Sequence, residues 1–268
     1  MSEIGAAGSS GDNETKEAMP VMGFLDHLEE LRKRIIYSVL SVAVGFCVCW
    51  WKVERIYDVM QRPIMDALKA NGMSEKLVYL NPTEPFNLYL KIAALAGLFL
   101  TSPFVLYQVW MFISPGLYRK EKRYVVPFMV STITLFACGG YFGYKIVYPA
   151  ALNFLIAFGK QFQPMITIGE YTSLFLSIIL GMGLIFEMPI LVFFLSLMGI
   201  ISAGFMWKNF RYSILVIFIV AAIVTPTTDI LNMCIFAAPM IALYAVSIGV
   251  AWLVHPKQRA KRREKQAR

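Results

Sequence analysis

Six apolar runs, each at or near the length that crosses a bilayer, leave this chain few ways to fold. They read as about Ile35 to Trp51, Phe86 to Ile113, Tyr124 to Tyr148, Glu170 to Ile200, Phe210 to Val224 and Ile230 to Val254. A helix needs about 20 mostly apolar residues to cross the roughly 30 Å hydrocarbon core. It is also the simplest way to satisfy every backbone N–H and C=O within one segment where no water is present. Only 16% of the residues are charged, against roughly a quarter in a soluble domain. The expected fold is an all-α integral membrane protein with six transmembrane helices. The fifth run, Phe210 to Val224, is short. As a helix it reaches about 22 Å, so either it extends beyond these bounds or the bilayer thins beside it.

The basic residues orient the spans. Arg32, Lys33, Arg34, Arg119, Lys120, Lys122, Arg123, Lys208, Arg211 and the tail beyond Pro256 all fall on one side. The opposite side holds a charge-balanced segment from about 52 to 85, one lysine between 149 and 169, and no basic residue in the turn at 225–229. The excess of Lys and Arg marks the cytoplasmic face, so both termini are expected there. The net charge of +8 is thus orientation information, not a nucleic-acid footprint. Residues 1–21 read as a disordered cytoplasmic tail without a cleavable signal. Residues 22–255 form the membrane domain, and 256–268 a basic cytoplasmic tail. The 52–85 segment reads as an external cap of short surface helices, with Ile56, Met60, Ile64 and Leu68 as its apolar stripe and Pro63 interrupting it. The third span is expected to end at Tyr148, leaving 149–169 as an outer connection.

Ahead of the first span, F-L-D-H-L-E-E-L-R-K-R at Phe24–Arg34 has Phe24, Leu28, Leu31 and Ile35 at helical spacing, with Asp26, Glu29, Glu30 and Lys33 opposite. This predicts an amphipathic helix lying at the membrane surface and running into the span. Glu29 with Lys33 and Glu30 with Arg34 are spaced for local ion pairs. Glu121 is the one acid in a loop with four basic residues on the same face, surroundings that favour its ionised form. Glu30 and Glu121 together offer two carboxylates able to receive two guanidinium groups. Glu187 lies within an apolar span, where an ionised carboxylate is costly and a functional or helix-packing role is the default. Gln108 is its expected polar neighbour. Asp229 is placed to cap the sixth helix.

The four cysteines sit in apolar runs without C-x-x-C spacing, and the two histidines stand at opposite ends, so neither a disulfide framework nor a metal site is expected. No H-E-x-x-H, paired membrane aspartates, G-x-S-x-G or phosphate-binding loop points to an enzyme. A proton-coupled small-solute transporter using Glu187 is the alternative, weakened by the absence of an internal repeat.

Four motifs then stand in order: H-L-E-E-L-R-K-R at His27–Arg34, F-I-S-P-G-L-Y-R-K-E-K-R at Phe112–Arg123, F-E-M-P at Phe186–Pro189 and T-P-T-T-D at Thr225–Asp229. With them the chain resembles the TatC family, the multispan receptor subunits of the twin-arginine protein translocase, over about residues 22 to 255. It departs modestly: the family often reads L-x-E-L-R where Glu29 here adds an acid, and T-P-P-D where this chain has T-P-T-T-D. The resemblance implies a concave, glove-like helix arrangement that binds twin-arginine signal peptides and helps export folded proteins on the proton-motive force, without a cofactor. It implies that Glu30 and Glu121 contact the paired arginines, while Leu31, Arg32, Phe112, Pro115, Tyr118 and Arg119 shape that site. Glu187 with Gln108 becomes the intramembrane polar group, and Pro63, Pro226 and Asp229 become structural or external positions. The implied partners are the single-span subunits TatA and TatB, signal peptides, lipids and further copies in an oligomer, with TatB along the fifth span. The implied location is a bacterial inner membrane.

Overall fold

The structure, a computed structural model, describes residues 24–72, 77–113, 125–159, 165–197, 199–224 and 230–266. The described residues are almost wholly helical. Their one β feature is a bridge between Val78 and Thr167, closed by Ile168 N–H donating to the Val78 carbonyl at 2.9 Å. Helix α1 covers Phe24–Trp50, α2 Val53–Ala70, α3 Glu84–Ile113 and α4 Val125–Phe142. A π turn, Gly143–Val147, joins α4 to α5 at Tyr148–Phe158. Then come α6 Ile168–Ile185, α7 Met188–Leu197, α8 Ala203–Lys208, α9 Phe210–Val224 and α10 Ile230–Gln266. The six spans are α1, α3, the α4–α5 rod, the α6–α7 pair, α9 and α10. Five are long and apolar enough to cross a membrane, and α9 is the shorter apolar sixth. Six crossings return the chain to its starting face, and the basic residues make that face cytoplasmic.

Helix α6 is the centre. Ile178 and Met182 are fully enclosed, and α3, α4, α5 and α9 all touch this helix. Close approach is possible because Gly139 of α4 faces it: a Cβ there would stand 2.6 Å from the Met182 carbonyl oxygen. Helix α1 lies at the edge and packs mainly on α3. At their contact a Cβ on Gly97 would stand 2.6 Å from the Phe46 backbone nitrogen, so only glycine fits. The outward faces carry large apolar side chains such as Val39, Leu40, Leu100 and Ile219, as lipid-facing surfaces must.

The Phe24–Arg34 segment runs into the first span as expected: α1 is unbroken through Arg34, about 40 Å in all. The apolar stripe and the span share one helical phase, so nothing in the sequence makes a bend between them. Three sequence expectations change. The cap is one helix, α2, and Pro63 lies inside it without ending it. A proline has no N–H for the carbonyl four residues back. That carbonyl, Val59's, instead accepts from the Tyr144 hydroxyl at 2.7 Å, and the next, Met60's, accepts from the Tyr171 hydroxyl at 2.7 Å. The expected stripe is the buried one: Met60, Ile64, Ala67 and Leu68 face the core, while Glu54, Arg55, Asp58, Arg62, Asp66 and Lys69 are exposed.

The third span does not stop at Tyr148. The π turn shifts the ladder so that Tyr148 N–H donates to Gly143, five residues back. Pro149 follows at the start of α5 without breaking the rod, and the helix continues to Phe158. The fourth span is instead broken once. Helix α6 ends at Ile185 and α7 begins at Met188, leaving Phe186 and Glu187 as an elbow. Pro189 has no N–H for the Ile185 carbonyl four residues back, so the ladder lapses just ahead of it. The basic tail beyond the sixth span is helical as far as Gln266.

Candidate functional site

Glu29 and Glu30 are adjacent on the cytoplasmic end of α1, and the helix turns them to different surroundings. Glu29 pairs with Lys33 at 2.8 Å, both side chains more than half exposed. Glu30 pairs with Arg34 at 3.2 Å, with the two side chains 17% and 23% exposed. The local pairings expected from the spacing are therefore both present. Only the second leads further: Arg34 Nη2 donates to Glu30 Oε1, while its Nη1 donates at 3.0 Å to the side-chain carbonyl of Gln108 on α3. Glu30 Oε2 is buried and has no hydrogen-bond partner among the described residues. A furrow of about 390 Å³ runs alongside, lined by Asp26, Glu29, Glu30, Lys33, Arg34 and Tyr37.

The neighbouring end of α3 completes this surface. Phe112 stacks on His27 with ring centroids 4.4 Å apart. Leu31 is half-buried and Arg32 exposed. Of the residues expected to form the peptide site, Glu30, Leu31, Arg32 and Phe112 thus share the α1–α3 cytoplasmic end. Glu121, Pro115, Tyr118 and Arg119 lie outside the described residues, as do Pro226 and Asp229. Behind Phe112, Trp110 packs with Phe128 and Phe194 and donates its indole N–H to Thr132 Oγ1 at 3.1 Å. This aromatic block anchors α3 to α4 and α7 just beneath the site.

Gln108 was expected as a polar neighbour of Glu187; its side-chain carbonyl accepts from Arg34, and no hydrogen bond joins it to Glu187 among the described residues. The face of a helix on which a residue lies is fixed by periodicity, but which neighbour covers that face is fixed by packing. Gln108 is one turn before Phe112 on α3, and both turn toward α1. Glu187 sits at the α6–α7 elbow, buried, with Oε1 unpartnered among the described residues. Its backbone carbonyl accepts from Ile190 and Leu191, so the elbow starts α7 while presenting the carboxyl. Sequence reasoning missed His27 and Arg34 as parts of the site. The signal was present in the motif: His27, Glu30 and Arg34 follow one another at spacings of three and four residues, on one helical face.

Chemically, the Glu30 carboxylate has one oxygen engaged and the other without a donor among the described residues, so it retains the capacity to accept a hydrogen bond from an N–H group. Among the described residues no group of three His, Cys, Asp or Glu is placed to hold a metal ion.

The profile of the Sec-independent protein translocase protein (TatC) matches residues 26–239. A Sec-independent protein translocase protein TatC from Koribacter versatilis (strain Ellin345) is 70% identical over 252 residues, which cover 94% of this chain and 93% of that protein. One from Carboxydothermus hydrogenoformans is 40% identical, with 88% and 96% covered. Among solved structures, the twin arginine translocase receptor TatC superposes with a TM-score of 0.77 at 33% identity, over 85% of this chain and 99% of that one. The chain therefore belongs to the TatC family of Sec-independent protein translocase proteins.

Proposed function

We propose that this membrane component of a Sec-independent translocase reads the paired arginines of an export signal at the cytoplasmic end of α1 and α3. Glu30 receives one guanidinium, and Glu121 from the following loop receives the other. Leu31, Arg32, Phe112, Pro115, Tyr118 and Arg119 surround them. The observation that carries this reading is the Glu30 carboxylate: mostly buried, held on one oxygen by Arg34, its other oxygen enclosed and without a donor among the described residues, on a residue that lines an open furrow. A guanidinium supplies directional donors to such an oxygen and is more weakly hydrated than an ammonium, which favours Arg over Lys.

The rest of the proposal follows from the family. The protein works in a bacterial inner membrane with TatA and TatB, and draws on the proton-motive force. TatB lies along α9, whose Leu215, Val216, Ile219 and Ile223 form an exposed apolar surface. Glu187 serves as the polar group facing the membrane-embedded path. Membership of a translocase family supersedes the small-solute transporter alternative.

Photocrosslinkers at residues 30 and 121 test the reading against a twin-arginine peptide and its Lys-Lys version. Both positions are expected to capture the Arg-Arg peptide preferentially. Glu30→Ala and Glu121→Ala are each expected to reduce capture of that peptide by about tenfold or more, the loss of one charge-assisted contact. Undiminished capture by both variants would remove the recognition chemistry proposed here.

A further inference from the structure

A glutamine amide enclosed in an apolar span needs a hydrogen-bond partner, because an unpartnered amide there is costly. Gln108 is 5% exposed, and its partner comes from another helix: Arg34 on α1. The Arg34 guanidinium is planar, with its donors in a rigid fork. One prong is taken by Gln108 Oε1 at 3.0 Å, the other by Glu30 Oε1 at 3.2 Å. Two bonds from one plane, to two different helices, fix that plane. The carboxylate bonded to it is fixed in turn, and its second oxygen stays without a donor among the described residues.

We infer that Gln108 and Arg34 are positioning residues of the arginine-reading site: Gln108 orients Arg34, and Arg34 holds Glu30 in one place, so that its enclosed Oε2 meets an incoming guanidinium at a fixed position once the groups covering it part. The inference rests on the assignment of Glu30 made above. Its consequence concerns selectivity more than attraction. Arg34 already compensates the Glu30 charge, so a visiting cation gains little from bulk Coulomb attraction. What remains is a directional acceptor at a fixed place. An arginine fork meets it with an N–H aligned and others left for Glu121 or backbone carbonyls. A lysine ammonium, compact and strongly hydrated, must shed more water for the same contact. A loosened Glu30 would turn to meet either cation, and the Arg-over-Lys preference would shrink.

The test is the ratio of crosslinking yields for the Arg-Arg and Lys-Lys peptides, measured in membrane vesicles carrying the full chain with the crosslinker on the peptide. Gln108→Leu, which removes the acceptor but keeps the bulk, is expected to lower that ratio about tenfold, equivalent to one charge-assisted hydrogen bond. Gln108→Glu retains an acceptor and is expected to hold the ratio within about twofold. Arg34→Lys keeps the charge, loses the fork, and is expected to fall with Gln108→Leu. Unaltered ratios in both Gln108→Leu and Arg34→Lys would overturn the inference. If Gln108→Leu does not accumulate in the membrane, Arg34→Lys measured against Gln108→Glu decides it by the same ratio. Glu30→Gln separates the two levels. If it abolishes the preference while the Gln108 and Arg34 variants keep it, only the positioning role fails. If Glu30→Gln keeps the preference, the site itself is misassigned and the inference falls with it.

Discussion

Two neighbouring glutamates with the same kind of partner at the same spacing sit in opposite situations. Glu29 and Lys33 face water, where solvent screens the pair and its contribution is small. Glu30 and Arg34 are largely shielded and tied to a second helix through Gln108. Glu29→Gln is therefore expected to change twin-arginine peptide capture by less than about twofold, in contrast to Glu30→Ala. Equal losses from Glu29→Gln and Glu30→Ala would show that bulk negative charge, not a fixed carboxylate, attracts the signal. At this scale the sequence was only partly legible. It showed that Glu30 could pair with Arg34, and it displayed an acid at the membrane boundary. It did not reveal the Gln108 bond, because residues 74 positions apart meet only once α1 and α3 have packed. The same holds for His27 on Phe112, an aromatic contact between the same two helices.

Prolines show how an element can survive a residue that local rules say should end it. Pro63 leaves the Val59 carbonyl without its helical donor, and the Tyr144 hydroxyl supplies one. In α3, Pro103 likewise leaves the Phe99 carbonyl, which accepts from Ser102 Oγ at 2.8 Å. The cap helix thus depends on a side chain more than 80 positions away, which no local reading of 52–85 contains. Tyr144→Phe is expected to destabilise the protein by about 1 kcal/mol. In a Pro63→Ala background, where the N–H of residue 63 can return to Val59, the cost of the same change is expected to be markedly smaller. Thermal unfolding of the four proteins of this cycle in one detergent measures the coupling. Additive effects would mean that the tyrosine does not stand in for the missing donor. At this scale the long apolar elements were legible, since each of the six runs corresponds to a span. Their ends were not. The third span was expected to end at Tyr148, yet the rod passes Pro149, which follows a π turn; the fourth run reads as one element, yet its helix lapses for two residues at Phe186 and Glu187.

At the scale of the whole molecule, the alternation of basic and balanced segments with apolar runs carries the fold, and the fold match to TatC agrees with it. What remains unusual is the difference in length among the spans. The α4–α5 rod has 33 residues in its span, whereas α9 has 15 in all, about 22 Å against a core of roughly 30 Å. A helix this short is accommodated by a thinned bilayer, by snorkelling of flanking side chains or by a partner helix. Adding four leucines to α9, about 6 Å, is expected to lower the export yield of a folded twin-arginine reporter while the protein still inserts at its normal level. Normal export from the lengthened protein would show that the shortness of α9 has no part in transport. The π turn has a consequence of its own for how this architecture tolerates change. With its wider winding between α4 and α5, the residue count is out of step with an unbroken α ladder. Losing one residue there would restore ordinary winding and leave the downstream faces nearly where they are, whereas losing one elsewhere in α4, with the turn kept, would swing everything beyond it by about 100°. In that second case the enclosed Tyr148 would turn toward lipid, and the outer half of the rod would show α2 and α6 the wrong side.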